Sequence, residues 1–357
     1  MHFDLNEEHQ QIHAAVERVI RDHVDLTELT RGQGGSDDIR QKLQPVLSDM
    51  GLSSLLAPED AGGMGLGLLG LCALSDLFGE NAVPTSTIQQ ALGAWLVAEH
   101  GDEQQKNRWL SALLADQVQV SFAICSASGS WLPEDWNESA ADSSIQKLHV
   151  ESPEAGLFVV ATKDGLVLIP GEEVAEQGER REALDVTRPL GQLEFKTTDA
   201  SPIGDFGVAQ RVYDALLILT AADAAGAGRR ALHLAVEYLE TRKQFGRALG
   251  SFQGLKHQLA NMAVDIEPAI FLCWYAAHLW DLEAHEASRI AALAKAHATD
   301  VAVKTARASV EAHGGIGYTW EYPLHLLLKR AMFDRMVYAS PQRLRERVAR
   351  ISEDEAA

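Results

Sequence analysis

Two short runs of this 357-residue chain carry side chains suited to holding a phosphorylated ring compound. The first is Arg242-Lys243-Gln244-Phe245-Gly246-Arg247, with Phe252-Gln253 close behind it. The Arg242 guanidinium is a planar fork of donors that suits a diphosphate. Gly246 lets backbone come close, Phe245 offers a flat face to a planar ring, and Gln253 can pair with an adenine edge. The same run also suits a plain helix end, whose arginine satisfies carbonyls and the dipole. The second run is Glu311-Ala312-His313-Gly314-Gly315-Ile316-Gly317-Tyr318. Its glycine pair either caps a helix or turns backbone N–H groups toward a phosphate.

Composition narrows the partners. Lysine plus arginine number 31, aspartate plus glutamate 51, and the net charge is −20. Such a surface repels nucleic acid and anionic lipid at long range, so neither is expected as a partner. Cys72, Cys125 and Cys273 are scattered, share no metal-type spacing and cannot staple a secreted fold. Residues 1–8 are polar and acidic with no apolar signal core, and no window nears the roughly 18 uninterrupted apolar residues of a membrane span. A soluble protein of a reducing compartment, most simply the cytoplasm, is expected.

The elements that must position the two runs follow from periodicity. Hydrophobic residues make up 46%, enough for a large core, and the length suggests two or three lobes. Residues 1–117 read as a helical domain, interrupted by the glycine-rich connector Pro58-Glu59-Asp60-Ala61-Gly62-Gly63-Met64-Gly65-Leu66-Gly67. Helical patterns resume over 68–78 and 88–114. Residues 118–207 change to short β-rich runs at 118–124, 157–162, 166–169 and 190–195, with Asp164-Gly165 as a hairpin turn. Residues 208–357 are helical again, with small residues over 221–228 for close helix approach, a helix bent at Pro268, and another over 284–313. The fold expected is mainly α with an inserted antiparallel β domain.

Taken together, the two runs are specific. Tyr238-Leu239-Glu240-Thr241-Arg242-Lys243-Gln244-Phe245-Gly246 with Phe252-Gln253 resembles the flavin-binding helix end of acyl-CoA dehydrogenases. So do Glu311 to Thr319 and the following Glu321-Tyr322-Pro323-Leu324. The connector at 58–65 and Asp185-Val186-Thr187-Arg188-Pro189 are also similar to segments of that family. The resemblance implies an N-terminal helical domain, a central β domain and a C-terminal four-helix bundle. It implies FAD, held by Arg242, Phe245, Gln253, Glu311, Gly314 and Gly315. It further implies oxidation of the Cα–Cβ bond of an acyl-CoA thioester, a glutamate base for the α-proton, and an electron-transferring flavoprotein as acceptor.

The departures are as informative as the matches. One family position for the glutamate falls on Ala339, within Val337-Tyr338-Ala339-Ser340-Pro341-Gln342. The other falls on Leu216, and a shift of a few residues finds only Asp214 or Asp223. No catalytic residue is therefore assigned in this chain. The family's loop against flavin and substrate corresponds to Cys125-Ser126-Ala127-Ser128-Gly129-Ser130-Trp131, without its acidic and proline residues. His149 stands where a tryptophan packs on the isoalloxazine, and Lys329-Arg330-Ala331 replaces Arg-Asp-Ala. What survives is the half of the site that one subunit lends to its neighbour. The chain thus resembles the subunit without a catalytic glutamate in the two-plus-two heterotetramers that act on steroid side chains or other bulky acyl-CoAs. Two other readings stand beside it: a homomeric flavoenzyme of the same fold with an altered base, such as Asp214, and a scaffold that binds no flavin.

Overall fold

The computed structural model describes residues 4–30, 32–176, 181 and 183–356. The N-terminal helices are α1 (Glu7–His23), α2 (Leu26–Leu29), α3 (Gln33–Asp49), α4 (Gly67–Glu80), α5 (Thr87–His100), α6 (Glu103–Gln105) and α7 (Ser111–Leu114). Strands β1 (Val120–Ala123), β2 (Ser144–Glu151), β3 (Leu157–Thr162), β4 (Gly165–Pro170), β5 (Val174–Glu176), β6 (Leu190–Lys196) and β7 (Ser201–Asp205) follow. Then come α8 (Phe206–Thr241), the two-residue strands β8 (Lys243–Gln244) and β9 (Arg247–Ala248), α9 (Gln253–Asp281), α10 (Ala287–His313), α11 (Leu324–Met336) and α12 (Pro341–Ala356). None of the described helices is long and apolar enough to cross a membrane.

These elements form two compact units. One takes the chain up to Ile39, Cys72–Pro84 and the chain from Leu217 onward; the other takes Arg40–Leu71 and Thr85–Leu216. In the first, α1 starts with a capping box, in which the Asn6 side chain accepts from the His9 N–H and His9 Nδ1 accepts from the Asn6 N–H. Glu7 and Glu8 open that helix and Arg21 and His23 close it, both favourable to its dipole. Val16 and Ile20 point inward.

The small run on α8 lies where helices meet backbone to backbone. A Cβ on Gly226 would sit 2.0 Å from the Asp76 carbonyl oxygen, and one on Gly79 would sit 1.9 Å from that of Asp223. A Cβ on Gly228 would come 2.9 Å from the Ala302 Cα on α10. Gly226→Ala is therefore expected to lower stability by about 1–3 kcal/mol, the overpacking cost of a rigid contact, read as a lower urea midpoint. Around this crossing Ala224, Leu232, Met262, Ile266, Ala302 and Ala331 form one apolar cluster.

In the second unit the strands make two sheets, ordered β1-β3-β4-β7 and β2-β6-β5. Phe158, Val160, Val167, Ile169, Leu193 and Phe195 share a core, with the Phe158 and Phe195 rings 5.0 Å apart. The pairing is antiparallel except for β1 beside β3, which is parallel because the intervening chain crosses over through β2. The hairpin between β3 and β4 turns on Lys163-Asp164, one residue earlier than the sequence suggests, since Gly165 already pairs with Thr162. The short edge strands β5 and β7 and the strand β2 had no clear alternation to reveal them.

One helical expectation also changes. The pattern over 88–114 is broken after His100, where Asp102 caps a new helix by accepting from the Gln105 N–H at 2.8 Å. Helix α9 runs on through Pro268. The carbonyl that proline leaves without a helical donor is that of Val264, whose side chain is 72% exposed, so water can serve it.

Candidate functional site

Helix α8 ends at Thr241, and the Arg242 N–H donates to the Tyr238 carbonyl at 2.8 Å. The pairs Lys243↔Ala248 and Gln244↔Arg247 then leave Phe245-Gly246 as a two-residue loop. Both loop residues have positive φ, 53° and 81°, as a type I′ hairpin requires. Glycine accepts this freely, whereas a phenylalanine there is strained. Phe245 is nonetheless 88% exposed, edge-on to Phe252 at 6.1 Å between centroids. The Arg247 guanidinium lies 4.0 Å over the Phe252 ring. Phe252 is the N-cap of α9 and makes no side-chain cap, so Gln253 opens a helix whose first backbone donors lack a side-chain acceptor. The exposed Arg242 side chain has no ion-pair partner among the described residues.

The glycine pair follows α10 directly. Gly314 has φ 64° and ψ −139°, and a Cβ at Gly314 or Gly315 would meet nothing within 4 Å. Both are exposed. The two runs are joined by a stack: the Tyr238 and His313 rings lie 4.4 Å apart at 21°. His313 is buried, with Nδ1 2.7 Å from the Ser309 carbonyl and Nε2 3.1 Å from the Tyr322 hydroxyl. Burial lowers the His313 pKa, against the pull of the Ser309 and Leu234 carbonyls. Sequence reasoning gave Tyr238, His313 and Tyr322 no role, because only the folded chain brings them together. Glu311 is exposed and lines a cleft of about 530 Å3 with Arg307, Met332 and Met336.

Neither residue at the two positions where the sequence resemblance puts the glutamate holds an ionisable atom. Ala339 is buried, with φ 101°, and Leu216 is buried on α8. Of the nearby carboxylates, Asp214 is buried and accepts from Gln210 Nε2 at 2.8 Å. Asp223 is clamped by Arg330, with Nε at 2.7 Å and Nη2 at 3.0 Å.

In the β-rich unit the loop over 125–131 is tied to its own surroundings. Glu138 accepts from the Ala127 N–H at 3.0 Å and from Lys147 at 3.2 Å, and Lys147 is wholly buried. Burial works to raise the Glu138 pKa, but Lys147 and the hydrogen bonds outweigh it and hold it low. Burial lowers the Lys147 pKa and pushes the Cys125 thiol up to about 12. Trp131 stacks on His149 at 6.0 Å, and His149 carries a strained φ of 52°.

Two family models match the chain: that for the acyl-CoA dehydrogenase N-terminal domain over residues 6–117, and that for its C-terminal domain over residues 206–352. The chain belongs to the acyl-CoA dehydrogenase family. Among relatives, acyl-CoA dehydrogenase FadE34 of Mycobacterium tuberculosis is 31% identical over 301 residues, covering 83% of this chain. The match spans 40% of that relative's length. A variant of the Tcur3481-Tcur3483 steroid ACAD is similar in structure, with TM-score 0.88, 24% identity and coverage of 98% of this chain and 99% of that one. The ChsE4-ChsE5 complex from Mycobacterium tuberculosis gives 0.83, 22%, 98% and 98%. At these identities the two structures show the shared fold.

The cofactor of this family is FAD. The open glycine pair, the exposed arginine and the presented aromatic ring fit the phosphate and adenosine part of such a group.

Proposed function

We propose that this chain is a subunit of a heteromeric acyl-CoA dehydrogenase and lends half of an FAD site to an unlike, base-carrying partner. The observation that carries the reading is one juxtaposition. An open phosphate cradle at Arg242 and Gly314-Gly315 is kept, while Ala339 and Leu216 occupy both positions for the base. The exposed, strained Phe245 supports it, since an apolar ring in that conformation gains most when a ligand or partner covers it.

FAD, when bound, supplies a hydride acceptor for desaturation of the acyl chain. Arg242 would pair with the diphosphate, Phe245 would pack on a planar ring, and Gln253 would hydrogen-bond the adenine edge. Gly314 and Gly315 would bring backbone N–H groups to phosphate oxygens, and Glu311 would bind a ribose hydroxyl or adenine donor. The partner would supply the proton acceptor. A bulky, steroid-side-chain-like acyl-CoA, transfer of electrons to an electron-transferring flavoprotein, a two-plus-two assembly and a cytoplasmic setting complete the proposal. Its domains would run over 1–117, 118–207 and 208–357.

The test is flavin content. Co-purified with its partner, the wild-type chain is expected to yield one FAD per unlike pair. Arg242→Ala is expected to weaken FAD binding by about ten- to a hundredfold, the worth of a charge-assisted bond to phosphate. Unchanged flavin content in Arg242→Ala would leave only a scaffold.

A further inference from the structure

The two halves of the cradle come from helices far apart in sequence, yet one imidazole touches both. We infer that His313 is a positioning residue: its stack on Tyr238 and its bond to Tyr322 set the spacing between the Arg242 hairpin and the Gly314-Gly315 loop. This inference rests on the reading of that cradle as the FAD site.

The geometry carries it. Tyr238 lies one turn before Arg242, and the Arg242 N–H bonds to its carbonyl, so any shift of Tyr238 is passed to the hairpin. His313 is the residue before Gly314, so a shift of its ring moves the loop. The Ser309 carbonyl can only accept, so Nδ1 carries the proton there and Nε2 accepts from the Tyr322 hydroxyl. The neutral ring thus satisfies both partners. A second proton on Nε2 would turn that acceptor into a donor, so the Tyr322 O–H would have to rotate away and accept instead, or the imidazolium turn to the Leu234 carbonyl, and the clasp would rearrange.

The charged and titratable groups around the clasp are few. Tyr238 and Glu237 on α8 and Arg230 further back on the same helix act on Tyr322, whose pKa is raised by burial, so its hydroxyl stays protonated. Burial disfavours the charged form of His313. Its folded pKa lies below the unfolded value near 6.5, so its contribution is complete above that unfolded value and is lost as pH falls from there through the lower folded pKa. The diphosphate of FAD is a diester and keeps its charge throughout, so it adds no titration of its own.

The experiment has two readouts. In the full chain, amide exchange is compared between wild type and His313→Phe, which keeps a stacking ring and loses both hydrogen bonds. The hairpin at 242–249 and the turn at 314–319 are expected to lose protection together, while α9 keeps its own. Loss in only one segment, or in neither, overturns the proposal. In the complex with the partner subunit, FAD affinity is titrated from pH 8 downward past pH 6.5, until the buried His313 ring takes its second proton. Wild type is expected to weaken by about threefold to tenfold, the effect of one hydrogen bond, while His313→Phe starts weaker and stays flat. A variant that keeps the wild-type pH step overturns it as well. Arg242→Ala run in parallel separates the two readings: if it leaves FAD affinity intact, the cradle assignment fails, whatever His313 does.

Discussion

Arg330→Met is expected to lower the unfolding free energy by about 3–5 kcal/mol, because it strands a buried carboxylate. Arg330 and Asp223 are at most 1% exposed, and the guanidinium grips both carboxylate oxygens. Its Nη2 also donates to the Val83 carbonyl at 3.2 Å, so one side chain ties α11 to α8 and to the segment after α4. Removing the arginine strips the buried Asp223 carboxylate of the guanidinium that grips both its oxygens. Removing both charges is a different matter. The double change Asp223→Leu with Arg330→Met is expected to recover most of the loss, since the desolvation cost leaves with the pair. Urea unfolding of the two variants decides it. A single variant as stable as wild type would mean that the pair contributes nothing to the fold.

The second large effect concerns turnover. If the base belongs to the partner, as proposed, the lone chain is expected to desaturate acyl-CoA about two to four orders of magnitude more slowly than a family member that carries its own. Ala339 and Leu216 carry no group that can take a proton, and Asp223 is committed to Arg330. Asp214 is already hydrogen-bonded to Gln210 and buried, so Asp214→Asn is expected to leave the residual rate unchanged. Enoyl-CoA formation is measured with flavin supplied in excess, for the chain alone and for the complex. Ordinary enzymatic rates from the chain alone, abolished by Asp214→Asn, would establish a homomeric enzyme with a substituted base.

Local chemistry in this chain was readable before folding. The glycine pair after His313 marks a helix end whatever surrounds it, and α10 ends there, whereas the hairpin tipped by Phe245-Gly246 is something only the folded chain shows. The helix–strand–helix order was likewise carried by periodicity. Partnerships across long loops were not readable. Lys329-Arg330-Ala331 looked like the loss of an aspartate, and only the packed helices show that the change places an arginine on Asp223, 107 residues away. Likewise, His313 looked like a spacer before two glycines until Tyr238 and Tyr322 closed around it. The strands β5 and β7 are three and five residues long, too brief for alternation to stand out from loop sequence.

The tip of the β8–β9 hairpin has little room to drift. The residues that relax a left-handed backbone are glycine, asparagine and aspartate, and each of them would delete the ring that Phe245 displays. Those that would preserve an aromatic face inherit the same conformational penalty. Relief and display therefore exclude one another at this codon, and a lineage can gain the one only by forgoing the other.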